Sequence, residues 1–155
     1  MNFHFGQRWS LAANFNYSVG NDIYNYQRAL LESGSMFINQ TTALNRRWTT
    51  EGQVTDVPRA VYGDPMGNSR FSDRWIENGS YLKLKNVTIS YKVPVQNEYI
   101  QGITLWAAAN NLFTFTKYLG SDPEVTCGNG VLMQGIDAGY LSSGRSIHVG
   151  VKINL

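Results

Sequence analysis

Charge is scarce in this chain. Only 15% of its 155 residues are Asp, Glu, Lys or Arg, beside 13% aromatic residues, a balance unlike that of an ordinary water-soluble domain. Thirteen basic residues against eleven acidic ones leave a formal net charge of +2, which provides neither the basic footprint of a nucleic-acid binder nor a polybasic membrane anchor. Cysteine is nearly absent. Cys127 alone excludes an internal disulfide framework and any Cys-based zinc site, and reads as a free thiol in a loop. No run approaches the roughly 18 consecutive apolar residues of a membrane-spanning helix. The stretch from Met1 to Ser10 lacks the basic and apolar regions of a signal peptide. A β-strand crosses the same thickness with one apolar face only, so these absences leave that route open.

Alternation is present. Ile147, Val149, Val151, Ile153 and Leu155 interleave with Ser146, His148, Gly150, Lys152 and Asn154, predicting a strand over 145–155. A second strand, 9–19, sets Trp9, Leu11, Ala13, Phe15, Tyr17 and Val19 against Ser10, Ala12, Asn14, Asn16 and Ser18. Phe3 and Phe5 continue its phase in a strand over 1–5, and Gly6-Gln7-Arg8 reads as the hairpin turn between the two. Further strands are predicted over 81–91 and 103–118, joined by Val93 to Gly102. In the first of these, Val87, Ile89 and Tyr91 are in phase while Leu82 and Leu84 fall on the opposite face. Either a β-bulge lies near Lys85 and Asn86, or the strand's upper end projects beyond the apolar layer, where facing rules relax.

Two connections are far longer than the usual 4 to 6 residues or so. Segment 20–80 opens with an expected short helix, Asp22 to Glu32, capped by Asn21 or Asp22, and is otherwise expected to be irregular. Segment 119–144 carries Asp122-Pro123 and six glycines. Antiparallel order places both at one end of the strands and both short turns at the other, as in outer-membrane barrels. A strand of about 11 residues, rising about 3.4 Å each and tilted by about 45°, covers roughly 26 Å, close to the apolar band of such a barrel. Trp9 and Tyr91 then lie near one interface, and Tyr17, Phe113 and Phe115 near the other. Alternation also suits a soluble β-sandwich that binds carbohydrate, with Trp48 and Trp75 as platforms, and the two readings differ in whether the apolar faces meet another sheet or stay bare. Loop asymmetry, the small polar residues on the opposite face and a last strand running to the final residue favour lipid. Five strands cannot close a transmembrane barrel, so further strands are expected to complete it.

Several stretches resemble the C-terminal end of the SusC/RagA family of TonB-linked outer-membrane transporters: Arg47-Trp48-Thr49-Thr50-Glu51-Gly52-Gln53, Ser72-Asp73-Arg74-Trp75-Ile76-Glu77-Asn78-Gly79-Ser80-Tyr81 continuing to Thr88, and Asn110-Asn111-Leu112-Phe113-Thr114-Phe115-Thr116-Lys117-Tyr118 followed by Asp122-Pro123-Glu124. The ending His148-x-Gly150-x-x-Ile153-x-Leu155 is similar to the signal read by barrel-assembly machinery, departing at Leu155, where an aromatic residue is more usual. The resemblance implies an all-β fold: antiparallel strands forming the C-terminal part of a 22-stranded transmembrane barrel in the bacterial outer membrane, with long extracellular loops. It implies active import of large nutrients, oligosaccharides or peptides. The implied partners are a SusD-like surface lipoprotein as lid and TonB, which acts through an N-terminal region that, like the plug domain, lies outside these residues.

Chemistry is sparse. His4 and His148 fall on polar strand faces without a carboxylate or cysteine set that would make a metal site. Asp64, Asp73, Glu77, Asp122 and Glu124 lie in loops without a nucleophile motif, and Gly128-Asn129-Gly130 is too short for a phosphate cradle, so neither an enzyme nor a cofactor is expected. Trp48, Tyr62 and Trp75 offer flat rings for a sugar or a lid protein, with packing of the loop against itself as the alternative. Arg70 and Arg74 offer charge for an acidic ligand or partner, against local pairing as the alternative.

Overall fold

The computed structural model describes residues 1–95, 99–124, 127–128 and 131–154. In chain order these form β1 (Asn2–Phe5), β2 (Trp9–Ser18), β3 (Asp22–Asn25), α1 (Tyr26–Leu31), β4 (Ile76–Asn78), β5 (Tyr81–Val93), β6 (Gly102–Thr116), β7 (Ile136–Asp137) and β8 (Ser146–Asn154). Leu155, Asn129 and Gly130, and the middle of the connection between Val93 and Gly102, lie outside the described residues. The chain divides into two units, one of Met1–Val19, Ser80–Lys117 and Ser142–Leu155, the other of Gly20–Gly79 and Tyr118–Leu141.

The first unit is a single sheet in the order β1-β2-β5-β6-β8, antiparallel throughout. Its register sets apolar against apolar in row after row. Phe5, Trp9, Tyr91, Leu105 and Val151 make one row, Phe3, Leu11, Ile89, Ala107 and Val149 the next, and Ala13, Val87, Ala109 and Ile147 a third. Because side chains alternate across a strand, a pairing slipped by one residue anywhere would break these rows.

The phase shift in β5 is a bulge. Above the third row the apolar pairs resume as Phe15, Leu84 and Phe113, then Tyr17, Leu82 and Phe115. Between the two blocks β2 inserts one residue (Asn14), β5 two (Lys85 and Asn86) and β6 three (Asn110, Asn111 and Leu112), with register shifts recorded on both sides of β5. Each strand thus gains one residue on its neighbour, which turns Leu82 and Leu84 back to the apolar face. Asn111 sits at φ +53°, a left-handed conformation that asparagine tolerates better than other non-glycine residues.

That apolar face is bare. Phe15, Ile89, Phe113 and Val151 remain 46, 43, 56 and 59% exposed, so among the described residues no second apolar layer covers the sheet as a sandwich requires. The opposite face is polar and largely satisfies itself. Ser10 and Ser90 share a hydrogen bond of 2.5 Å, Asn86 Nδ2 donates to Asn110 Oδ1 at 2.7 Å, and Asn110 Nδ2 donates to Ser146 Oγ at 3.0 Å. Ser18 lies opposite Tyr81, and Tyr81 opposite Thr116, so both long connections leave the sheet at the same end.

The second unit departs from expectation in two places. The helix read over Asp22 to Glu32 begins instead as β3, and α1 starts only at Tyr26, capped by Asn25, whose Oδ1 accepts the Arg28 amide at 2.9 Å. Tertiary pairing outweighs helical periodicity here: β3 is held by β4, some fifty residues on, and by β7, more than a hundred on, with Ile23 and Asn25 buried. The sheet order is β4-β3-β7, and β3 and β7 run parallel, so the pairing is not antiparallel throughout. Its apolar centre is Ile23, Ala29, Val57 and Trp75.

Candidate functional site

The first connection builds a surface from turns that the sequence dictates. In Arg47-Trp48-Thr49-Thr50-Glu51-Gly52-Gln53 the chain reverses through Gly52 at φ +81°, which a side chain would disfavour. The Gln53 side chain closes the turn, accepting from the Thr49 amide at 2.8 Å and donating to the Arg47 carbonyl at 3.1 Å. Trp48 is thereby pinned at the turn's base, its amide donating to the Val57 carbonyl at 2.9 Å. The Arg59 guanidinium lies 6.0 Å from the centre of its ring, within cation–π range.

A second turn is held by Asp64. Its carboxylate accepts from the Asn68 amide at 2.7 Å, the Ser69 amide at 2.8 Å and the Ser69 hydroxyl at 2.5 Å. Burial would raise its pKa, but the Ser69 hydroxyl, the two amides and the charge on Arg70 outweigh this and hold it below the ordinary value.

These turns border a cavity of about 820 Å³, lined by Trp48, Asp56, Arg59, Met66, Asn68 and Arg74 among others. Arg74 is the most heavily tethered of these. The guanidinium lies 4.8 Å from the Trp75 ring centre, donates through Nη1 to the Asp56 carbonyl and stands 3.9 Å from Glu32. Behind it, Arg28 bridges Glu32 at 3.1 Å and Glu77 at 2.9 Å. Burial opposes the Arg28 charge, yet its hydrogen bonds and ion pairs with Glu77 and Glu32 prevail and raise its pKa. Glu77 also accepts from the Leu119 amide at 2.9 Å, which fastens the second connection to the same network.

The five residues singled out from sequence are therefore dispersed. Trp48 and Arg74 meet at the cavity. Trp75 is 1% exposed and packs beneath Arg74, its indole donating to the Arg70 carbonyl at 3.2 Å, so its ring offers no free face. Tyr62 is exposed and stacks on Phe37 with ring centres 4.6 Å apart, and it is not part of the cavity lining, although its neighbour Val61 is. Arg70 is exposed beside the Asp64 turn. Sequence reasoning missed Arg59, Met66 and Asn68, whose place at the cavity depends on how the turns fold. Among the described residues no three His, Cys, Asp or Glu side chains cluster as a metal site would require.

No family model matches the chain. Individual relatives do. It is 33% identical over 147 residues to TonB-dependent receptor P3 of Formosa agariphila, covering 90% of this chain and 14% of that protein. It is 30% identical over 131 residues to TonB-dependent receptor SusC of Bacteroides thetaiotaomicron, covering 82% of this chain and 12% of SusC. Among solved structures, the RagAB peptide importer in its closed-closed state superposes with a TM-score of 0.77 at 29% identity, over 95% of this chain and 16% of that one. This chain is similar to TonB-dependent receptors of the SusC/RagA type. It spans about 14% of the length of the first relatives it matches. Its location as a SusC/RagA-like segment is the bacterial outer membrane.

Proposed function

We infer that residues 1–155 are the C-terminal stretch of the barrel of a TonB-dependent active importer of large nutrients, oligosaccharides or peptides. The barrel has 22 strands, of which this chain supplies five neighbours, and the plug domain and TonB-contacting region belong to the rest of the polypeptide. The observation that carries this reading is the unbroken apolar face, whose rows persist through a bulge that keeps them aligned. A wall in lipid needs that continuity, and a solvated sheet does not.

The two long connections form part of the outer mouth. Trp48 and Arg74 at the cavity, with Tyr62 and Arg70 on the exposed surface, contact the nutrient or a SusD-like surface lipoprotein, while Trp75 supports Arg74 from below. The role of these 155 residues is architectural and recognitive rather than enzymatic.

Deletion of the full-length gene tests this in its host. Uptake of labelled oligosaccharide and peptide mixtures is expected to fall for one of the two, and to fall equally when the proton gradient is collapsed. Recovery of the full-length protein in the soluble fraction, or uptake indifferent to both treatments, would sink it.

A further inference from the structure

The second connection has little to hold it in shape by itself. Among the described residues of 118–141 its regular structure amounts to one 3-10 turn, Val131–Met133, and the two residues of β7. A strand that short has no stability of its own. β7 has a single neighbour, β3, in the order β4-β3-β7, so the second connection takes its order from the first.

The two are joined at several points. The Tyr24 amide donates to the Gly135 carbonyl at 2.7 Å, with Tyr24 opposite Ile136 and Asn25 opposite Asp137. Gly139 stands at φ +85°, and a Cβ there would lie 3.0 Å from the Gln27 side chain of α1, so glycine permits both the turn and the close approach. Glu77 joins three segments through one carboxylate. Oε1 accepts from Arg28 Nη1 at 2.9 Å and Asn25 Nδ2 at 3.2 Å, while Oε2 accepts from the Leu119 amide at 2.9 Å. The buried Asp137 then gathers the second connection around itself, accepting from the Tyr118 hydroxyl at 2.7 Å and the Gly139 amide at 2.8 Å. These contacts are internal to the second unit and do not depend on what covers its surface.

We propose that the two long connections are a single conformational body, clasped by Glu77, so that whatever displaces the first displaces the second with it. Separating them would break charge-assisted hydrogen bonds and leave their partners unpaired, whereas moving them together breaks none of these. Packed elements of this kind shift between discrete arrangements as blocks.

Two measurements on the full-length protein test this. The first is amide exchange of purified Glu77→Gln, which keeps the side-chain volume but removes an acceptor from either Arg28 or Leu119. The Gly139 amide, which Glu77 does not touch, is expected to exchange at least tenfold faster, with Thr88 in β5 unchanged. Exchange of Gly139 at the parent rate overturns the proposal, whether or not import is measurable. The second joins the connections covalently through Tyr24→Cys and Ile136→Cys, with Cys127→Ser, and rests on the import reading. Residues opposite each other on adjacent strands are within disulfide reach. The bond is expected to form on oxidation in whole cells and to change uptake of the labelled oligosaccharide and peptide mixtures less than twofold. A disulfide that does not form, or a larger fall in uptake that reduction reverses, overturns the single body. No uptake even with the thiols reduced counts against the import reading alone. Both variants are expected to keep the heat-modifiable band on electrophoresis that marks a closed barrel, and should either fail to assemble, the other measurement decides.

Discussion

Tyr118 and Asp137 illustrate how a single buried pair supports a loop. The Tyr118 hydroxyl donates to Asp137 Oδ2 at 2.7 Å, and both residues are buried. Burial first, then the hydrogen bond and charge of Asp137, raise the phenol pKa well above its ordinary value of 10.0. The stabilisation is therefore complete below pH 10 and declines as pH rises beyond it. Tyr118→Phe leaves Asp137 short of a donor and is expected to cost about 1–3 kcal/mol, read as faster amide exchange around Asp137 in the full-length protein. Asp64 has the opposite sign. Its pKa lies below the ordinary 3.8, so its turn is fully supported above that value and loosens as pH falls through the lowered one. Asp64→Asn is expected to bring the loosened state to neutral pH, visible as lost protection of the Asn68 and Ser69 amides once intrinsic exchange rates are divided out. An unchanged pattern would show that the carboxylate charge does not hold the turn.

At the level of elements, the bulge between β2, β5 and β6 is the feature on which alignment depends. Deleting Lys85 leaves Leu84 and Val87 in a plain two-residue period but removes the residue that β5 gains over β2, so the staggered bulge shared by the three strands can no longer form. The full-length protein lacking Lys85 is expected to lose its heat-modifiable band and to be degraded, whereas Lys85→Gln keeps both normal. Equal assembly of the two variants would remove the bulge from the argument. The phase shift around this bulge is legible from the order of Leu82, Leu84, Val87 and Ile89 alone, because period-2 patterning needs no partner to be seen. The parallel pairing of β3 with β7 is not, since nothing near Ile23 or Ile136 in the chain specifies a neighbour more than a hundred residues away. For the same reason Asn25, which closes a strand and opens a helix, reads from sequence as an interior helical residue.

For the molecule as a whole, the division of the sheet between an apolar and a polar face makes an asymmetric prediction. Val149→Arg puts a charge on the apolar face and is expected to destabilise the folded full-length protein by about 2–4 kcal/mol if the position lies near the bilayer midplane. His148→Arg, one residue away on the polar face, is expected to change it little. Unfolding by denaturant in vesicles measures both, and equal effects would contradict a membrane wall. The cavity in the second unit obeys a different logic. Its polar and aromatic lining comes from turns whose contacts are local, such as Gln53 with Arg47 and Thr49, yet they are tied to one another by longer-range contacts, the Trp48 amide to the Val57 carbonyl and Arg74 to the Asp56 carbonyl, beside the buried Val57 and Trp75.

From sequence alone came the alternation of side chains, the number and rough extent of the sheet strands and the asymmetry of their connections, all of which follow from a two-residue period and the length of chain between strands. The tertiary structure alone decided which rings are free. Trp75 and Trp48 look alike in sequence, but one lies beneath an arginine in a closed core and the other borders a cavity. Trp106, interior to a strand, stands over a glycine some forty residues on. Periodicity records which side of a strand a residue occupies, and only the register between strands determines what stands beside it.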